Sequence, residues 1–111
     1  MDKKLIKGGF LAEFVKVAKK GDLKDGEGKV VEAGGKELAL FRQNGQFFAF
    51  DNACLHAGGP LGEGALEDVF VTCPWHGWKY NIKNGQNDLD ETLKLKTYKT
   101  KVHGEDVMIE V

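Results

Sequence analysis

Two short segments, Cys54-Leu55-His56 and Cys73-Pro74-Trp75-His76, hold both cysteines and two of the three histidines of the chain. Each brings one thiolate donor and one imidazole donor into a single loop, and read together they form C-x-H-x16-C-x2-H. Thiolate is a soft anionic ligand and imidazole a neutral borderline one, so a set of two each suits either zinc or an iron–sulfur cluster. The order within the pairs bears on the choice. Zinc fingers usually pair Cys with Cys and His with His, whereas here each loop carries one of each. In a two-iron, two-sulfide cluster with Cys on one iron and His on the other, each loop would hold both irons and so clamp the whole cluster. The plain alternative is a pair of buried thiols beside incidental histidines. Two coincident pairs, each in a loop bearing Gly or Pro, argue against it.

The residues around the pairs extend the pattern: Ala57-Gly58-Gly59-Pro60-Leu61 follows the first, and Gly77-Trp78-Lys79-Tyr80 the second. On these motifs the sequence closely resembles the Rieske family, over residues 13–111 and with cluster loops at about 51–62 and 72–80. The resemblance implies one Rieske-type [2Fe–2S] cluster, with Cys54 and Cys73 on the buried ferric iron and His56 and His76 on the outer iron, which is the one reduced. Gly58, Pro74, Trp75, Gly77, Trp78 and Tyr80 would then surround the cluster. The high-potential, respiratory branch of the family carries an additional Cys in each loop, joined as a disulfide, and an N-terminal membrane helix. The corresponding positions here are Gly59 and Trp75, and no apolar run approaches the roughly 20 residues of a membrane span.

High-potential members also set a Ser and a Tyr hydroxyl against the cluster sulfurs, two and four residues after the last His ligand; here those positions hold Trp78 and Tyr80. A hydrogen bond to sulfur favours the reduced, more negative cluster, and about 1 kcal/mol of such preference is roughly 40 mV for one electron. The missing Ser places the expected potential in the lower part of the roughly −150 to +300 mV Rieske window, with Tyr80 restoring some of the difference. Each ligand imidazole leaves one ring nitrogen free to lose a proton, more easily when the iron is oxidised, so the potential is expected to decline at alkaline pH. His103, next to Gly104 in a predicted hairpin, is expected to be a solvated surface residue and not a ligand.

At 111 residues the chain has room for one domain, and no catalytic domain is expected beside it. Sixteen basic and 17 acidic residues leave a formal net charge of −1, which favours neither nucleic acid nor an anionic membrane as partner. A protein partner is expected. The start, Met1-Asp2-Lys3-Lys4-Leu5-Ile6-Lys7-Gly8-Gly9, lacks the apolar region of a signal peptide, so the cytoplasm is the expected compartment.

The elements that must position the loops are short. Glu13 to Ala18, Lys29 to Ala33, Glu37 to Arg42 and Gln46 to Phe50 read as strands, although Phe10 to Lys20 could also be argued as a helix. Asn44-Gly45 joins the last two strands as a hairpin turn, since both residues tolerate positive φ. Ala65 to Thr72 is expected as one strand entering the second loop and Trp78 to Ile82 as one leaving it, with a turn at Asn84-Gly85. Lys94 to Thr100 and Val102 to Val111 alternate, the latter around Gly104-Glu105-Asp106. Regular short strands predict an all-β fold, and the resemblance specifies a Rieske-like antiparallel β-sandwich or barrel with a small subdomain carrying the two ligand loops. Phe14, Phe41, Phe47, Phe48, Phe50 and Phe70 are expected in the core. Residues 1–12 are expected to be mobile, hinged at Gly8-Gly9.

The resemblance implies a soluble one-electron carrier, not itself an enzyme: a ferredoxin component that takes electrons from a reductase and passes them to a terminal oxygenase, as a monomer in transient contact with its partners. Docking would use the edges of His56 and His76 with Leu55, Gly59, Pro60 and Trp75, while Glu63, Glu67 and Asp68 would steer a basic partner. Two other readings stand beside it. One is a small Rieske-like subunit of an assimilatory nitrite reductase, which predicts a larger buried interface. The other is a structural zinc domain for protein interaction.

Overall fold

Consecutive apolar residues at Leu38-Ala39-Leu40-Phe41 need cover on both faces of a strand, and they obtain it in the middle of the molecule. The computed structural model describes residues 2–5, 11–75 and 77–111. In chain order the strands are β1 (Asp2–Leu5), β2 (Leu11–Lys19), β3 (Glu27–Ala33), β4 (Lys36–Gln43), β5 (Gln46–Asp51), β6 (Ala65–Glu67), β7 (Phe70–Thr72), β8 (Lys79–Asn81), β9 (Thr97–Tyr98), β10 (Thr100–His103) and β11 (Asp106–Glu110). They form three antiparallel sheets, ordered β1-β2-β11-β10, β3-β4-β5-β9 and β6-β7-β8. The described residues include only two 3-10 turns besides, Lys20–Asp22 and Leu61–Glu63. The expected all-β architecture is what is observed.

The central sheet is a wall between two cores, and strand alternation explains how. Leu38 and Leu40 of β4, with Phe47 and Ala49 of β5, face one core together with Val31, Ala33, Val107 and Ile109. Ala39 and Phe41, with Phe50, face the other, which holds Leu61, Val71, Tyr80, Ile82, Leu95 and both cysteines. The Phe41 and Phe50 rings stack with centroids 5.7 Å apart on that second side. The pair contributes about 1 kcal/mol beyond its area burial. The ligand-bearing subdomain is thus built on the back of the same strands that close the main sandwich.

The β4–β5 hairpin turns at Asn44 (φ 52°) and Gly45 (φ 75°), both left-handed as a two-residue primed turn requires. The segment from Phe10 to Lys20 resolves as strand over Leu11–Lys19, pairing with β11 through a bulge at Val107/Met108. Asp2–Leu5, inside the segment set apart at 1–12, pairs with β2, while Gly8-Gly9 lies outside the described residues.

Two expectations need correction. The segment Ala65 to Thr72 is not one strand but the hairpin β6–β7, because Asp68 adopts φ 54° and reverses the chain without glycine or proline. Phe70, on the outer side of β7, is 36% exposed and is not core, and Phe48 is only half-buried.

Candidate metal centre

The first ligand loop leaves β5 and ends at the 3-10 turn Leu61–Glu63; the second spans the gap between β7 and β8. The two loops repeat one hydrogen-bonding scheme. In the first, the Cys54 N–H donates to the Gly59 carbonyl (2.9 Å) and the Gly58 N–H to the Cys54 carbonyl (2.7 Å). In the second, the Cys73 N–H donates to the Trp78 carbonyl (2.7 Å) and the Gly77 N–H to the Cys73 carbonyl (3.1 Å). Gly58 and Gly77 occupy the equivalent turn position with φ 75° and 78°. A side chain would find open space at either one, so it is the left-handed backbone that calls for glycine.

This scheme points both cysteines inward. Cys54 and Cys73 are 3% and 2% exposed, both free, and in contact with each other. His56 lies on the exposed side, its ring stacked on Trp78 with centroids 4.6 Å apart. His76 lies outside the described residues. Pro74 and Trp75 are exposed at the tip of the second loop, Trp75 by 57%, and Leu55 is exposed by 47% at the tip of the first. Trp78 is half-buried against the second core, so its indole is a wedge between that core and the His56 ring. His103 is exposed in β10, apart from the loops.

Tyr80 ties one loop to the other. It is fully buried on β8, the strand that leaves the second loop, and its hydroxyl lies 3.3 Å from Cys54 Sγ and accepts the Leu55 N–H at 3.2 Å in the first. A thiolate ligand has no proton to give, so the hydroxyl must donate to sulfur. Burial, then the adjacent Cys54 sulfur, raises the Tyr80 hydroxyl far above the ordinary phenol range, which keeps that proton in place. Burial works to raise the Cys54 thiol as well. The donors aimed at its sulfur, Tyr80 first and then the His56 N–H, outweigh burial and hold it below the usual thiol range. A Tyr80→Phe variant is expected to lower the reduction potential by roughly 40 mV, the equivalent of about 1 kcal/mol of preference for the reduced state. Redox titration followed by EPR measures it, and an unchanged potential would remove the hydroxyl from the tuning.

Gly59 is buried, and it is held there by a close approach. A Cβ at this position would stand 2.7 Å from Cys73 Sγ and 3.0 Å from Cγ of Trp75. Positions 59 and 75, where the high-potential branch joins its loops covalently, therefore face one another, and here an indole covers bare backbone instead. Asn52 went unnoticed in the sequence. It is 6% exposed, its side chain accepts the Gly62 N–H (2.8 Å) and its carbonyl the Leu61 N–H (2.8 Å), which fixes the return of the first loop. An Asn directly after a strand end, ahead of a Gly-rich loop, is the signal that could have marked it.

Of the carboxylates expected to steer a partner, Glu63 is exposed at the end of the first loop, but Glu67 and Asp68 are not near the tip. They sit at the β6–β7 turn, the opposite end of the small sheet from Cys73. The one-strand reading of 65–72 misplaced them.

Two buried thiols held together by twin loops, with an imidazole on the outward side and a hydroxyl donor on one sulfur, fit an iron–sulfur cluster with mixed ligands. Among the described residues no helix is long and apolar enough to cross a membrane. The sequence profile of the Rieske [2Fe–2S] domain matches residues 13–99. The chain is 34% identical over 99 residues to the ferredoxin component of biphenyl 2,3-dioxygenase from Rhodococcus jostii, covering 88% of this chain and 92% of that protein. It is 37% identical over 89 residues to apoptosis-inducing factor 3 of Mus musculus, covering 79% of this chain but only 15% of the length of that relative. Among solved structures, the ferredoxin complexed with the oxygenase of carbazole 1,9a-dioxygenase superposes with a TM-score of 0.79 at 28% identity, over 86% of this chain and 91% of that one. A protein named as the small subunit of an NADPH nitrite reductase superposes with a TM-score of 0.76 at 25% identity, over 87% and 97%. The chain belongs to the Rieske [2Fe–2S] family, whose cofactor is a Rieske-type [2Fe–2S] cluster.

Proposed function

We propose that the chain is the ferredoxin component of a multicomponent oxygenase system, taking one electron from a reductase and passing it to a terminal oxygenase. The observation that carries this reading is the meeting of the two ligand loops at Cys54 and Cys73, in a chain that covers 92% of a dioxygenase ferredoxin. When bound, the cluster supplies a one-electron couple. Cys54, Cys73, His56 and His76 would hold it, the two thiolates on one iron and the two imidazoles on the other. The chain's other residues shape the site. Gly58 and Gly77 permit the two turns, Pro74 and Trp75 form the outer cover, Trp78 braces His56, and Tyr80 donates to Cys54. The bare Gly59 backbone leaves Cys73 its room.

Trp78 at the Ser position offers an indole face and no hydroxyl, which supports a potential low in the Rieske window. Two free cysteines suit a reducing compartment, and we place the carrier in the cytoplasm, as a monomer that meets its partners transiently. The zinc-domain reading gives way to family membership. The similarity to a nitrite reductase small subunit favours the second reading, a stable subunit of such an enzyme.

The test is an EPR spectrum of the dithionite-reduced protein, with iron, zinc and acid-labile sulfide assayed on the same sample. A rhombic signal of low average g, with two irons and two sulfides per chain, is expected. Electron delivery to an oxygenase, with no large subunit retained on purification, then separates the carrier from the nitrite reductase subunit. One zinc and no sulfide would overturn the proposal.

A further inference from the structure

We infer that the turn at 88–91 is the anchor on which an electron-transfer partner docks, and that the partner is a redox protein presenting a lysine- or arginine-rimmed apolar surface. This rests on the carrier reading and names the surface it would use.

The turn is held rigidly from below. Asn87 is 7% exposed, its side-chain oxygen accepts the N–H groups of Leu89 and Asp90 at 3.0 Å each, and its own N–H donates to the Leu93 carbonyl at 2.9 Å. Asp90 accepts the Thr92 N–H and hydroxyl, at 3.0 and 2.6 Å. The Asp88 N–H donates to the carbonyl of Lys79, two residues beyond Gly77 of the second ligand loop. On this support Leu89 is 92% exposed, far above the 57% of Trp75, the next most exposed large apolar side chain among the described residues. A single exposed leucine is ordinary on a protein surface. This one, however, edges a recess of about 530 Å³ between the turn and the second ligand loop, lined by Gly77, Trp78, Lys79, Leu89 and Leu93 among others. Trp78, in its wall, is the ring stacked on His56. A protein seated in the recess would therefore lie one aromatic ring from a proposed cluster ligand.

Charge selects the partner. The chain as a whole is nearly neutral, with 16 basic and 17 acidic residues, yet Asp88, Asp90 and Glu91 place carboxylates at three of four successive positions of the turn, and Asp88 and Asp90 line the recess itself. Against them the recess offers one cation, Lys79. A basic rim on the partner would be steered to this edge, and an apolar contact there would take up Leu89.

The probe is mitochondrial cytochrome c, a haem protein whose haem edge is ringed by lysines, reduced by the holoprotein in a stopped-flow instrument across a range of ionic strength. The variant Asp88→Asn/Asp90→Asn/Glu91→Gln keeps the acceptor oxygens that hold the turn. It is expected to slow reduction about fivefold at low salt and to flatten the salt dependence. Leu89→Ala is expected to slow it about twofold with the salt dependence kept. Glu67→Gln/Asp68→Asn/Glu105→Gln removes the same charge elsewhere and is expected to change the rate by less than twofold. Equal slowing by the two charge variants, no slowing by the first, or a matching shift in its reduction potential would overturn the inference while leaving the carrier reading intact. A wild-type protein without the cluster would overturn both.

Discussion

A Cys73→Ala variant is expected to fold and yet to hold no cluster: iron and sulfide below about a tenth of the wild-type content, no EPR signal after reduction, and a far-UV circular dichroism spectrum that still reports the β-sandwich. The two halves of this expectation come from the two cores. Cys73 belongs to the second, together with Cys54, Leu61, Val71 and Tyr80, and is absent from the first, which Leu38, Leu40, Val107 and Ile109 close on the other side of the central sheet. Removing one sulfur takes away a proposed first ligand, which costs more than the roughly 10–100-fold in affinity associated with the partners behind a ligand. Structural metal binding contributes to folding free energy, so the loosening should concentrate in the loops and the β6-β7-β8 sheet. Cys54→Ala should behave alike, since each thiol lies against the other. A Cys73→Ala protein that kept both irons would remove Cys73 from the ligand set, and one that unfolded entirely would refute the independence of the first core.

What could be read from the sequence depended on how local its cause was. Asn44-Gly45 predicted its hairpin because the requirement for positive φ is met by those two residues alone. The short apolar run from Leu38 to Phe41 marked a strand, but a run of buried residues does not say that odd and even positions face two different cores. The turn at Asp68 escaped because Asp tolerates the left-handed region without announcing it, and with it went the positions of Glu67, Asp68 and Phe70. At the site, the types and spacing of the proposed ligands stand in the sequence, and the contacts between loops do not. That the Tyr80 hydroxyl takes the Leu55 N–H, and that Trp78 lies on His56, are facts about residues brought together only by folding. The acidic turn at 88–91 is visible in the sequence as composition alone, because nothing local ties it to the second ligand loop.

Gly59→Ala should cost the protein more than half of its cluster, although it adds one methyl group. That methyl would stand 2.7 Å from Cys73 Sγ and 3.0–3.1 Å from two ring atoms of Trp75, against an optimal contact of about 3.5–4.0 Å. Either the sulfur or the backbone must give by about 1 Å. The backbone is fixed, since the Gly59 carbonyl accepts the Cys54 N–H at 2.9 Å and Pro60 next to it pairs with Ala53. The displacement therefore falls on Cys73 Sγ, and metal–ligand distances tolerate only about 0.2 Å. Cluster content is expected to fall below half, and the remainder to lose iron to a chelator about tenfold faster. Gly58→Ala is the informative neighbour, because it meets open space and costs only the left-handed backbone, about 1–2 kcal/mol, so it should retain far more cluster. Adding Trp75→Ala to Gly59→Ala relieves the contact with the ring but not the one with sulfur, and is expected to restore little. Iron content, visible absorption and chelation rate measured on the four proteins together check the reasoning. Full recovery in the double variant would assign the strain to the indole and clear Cys73 of it.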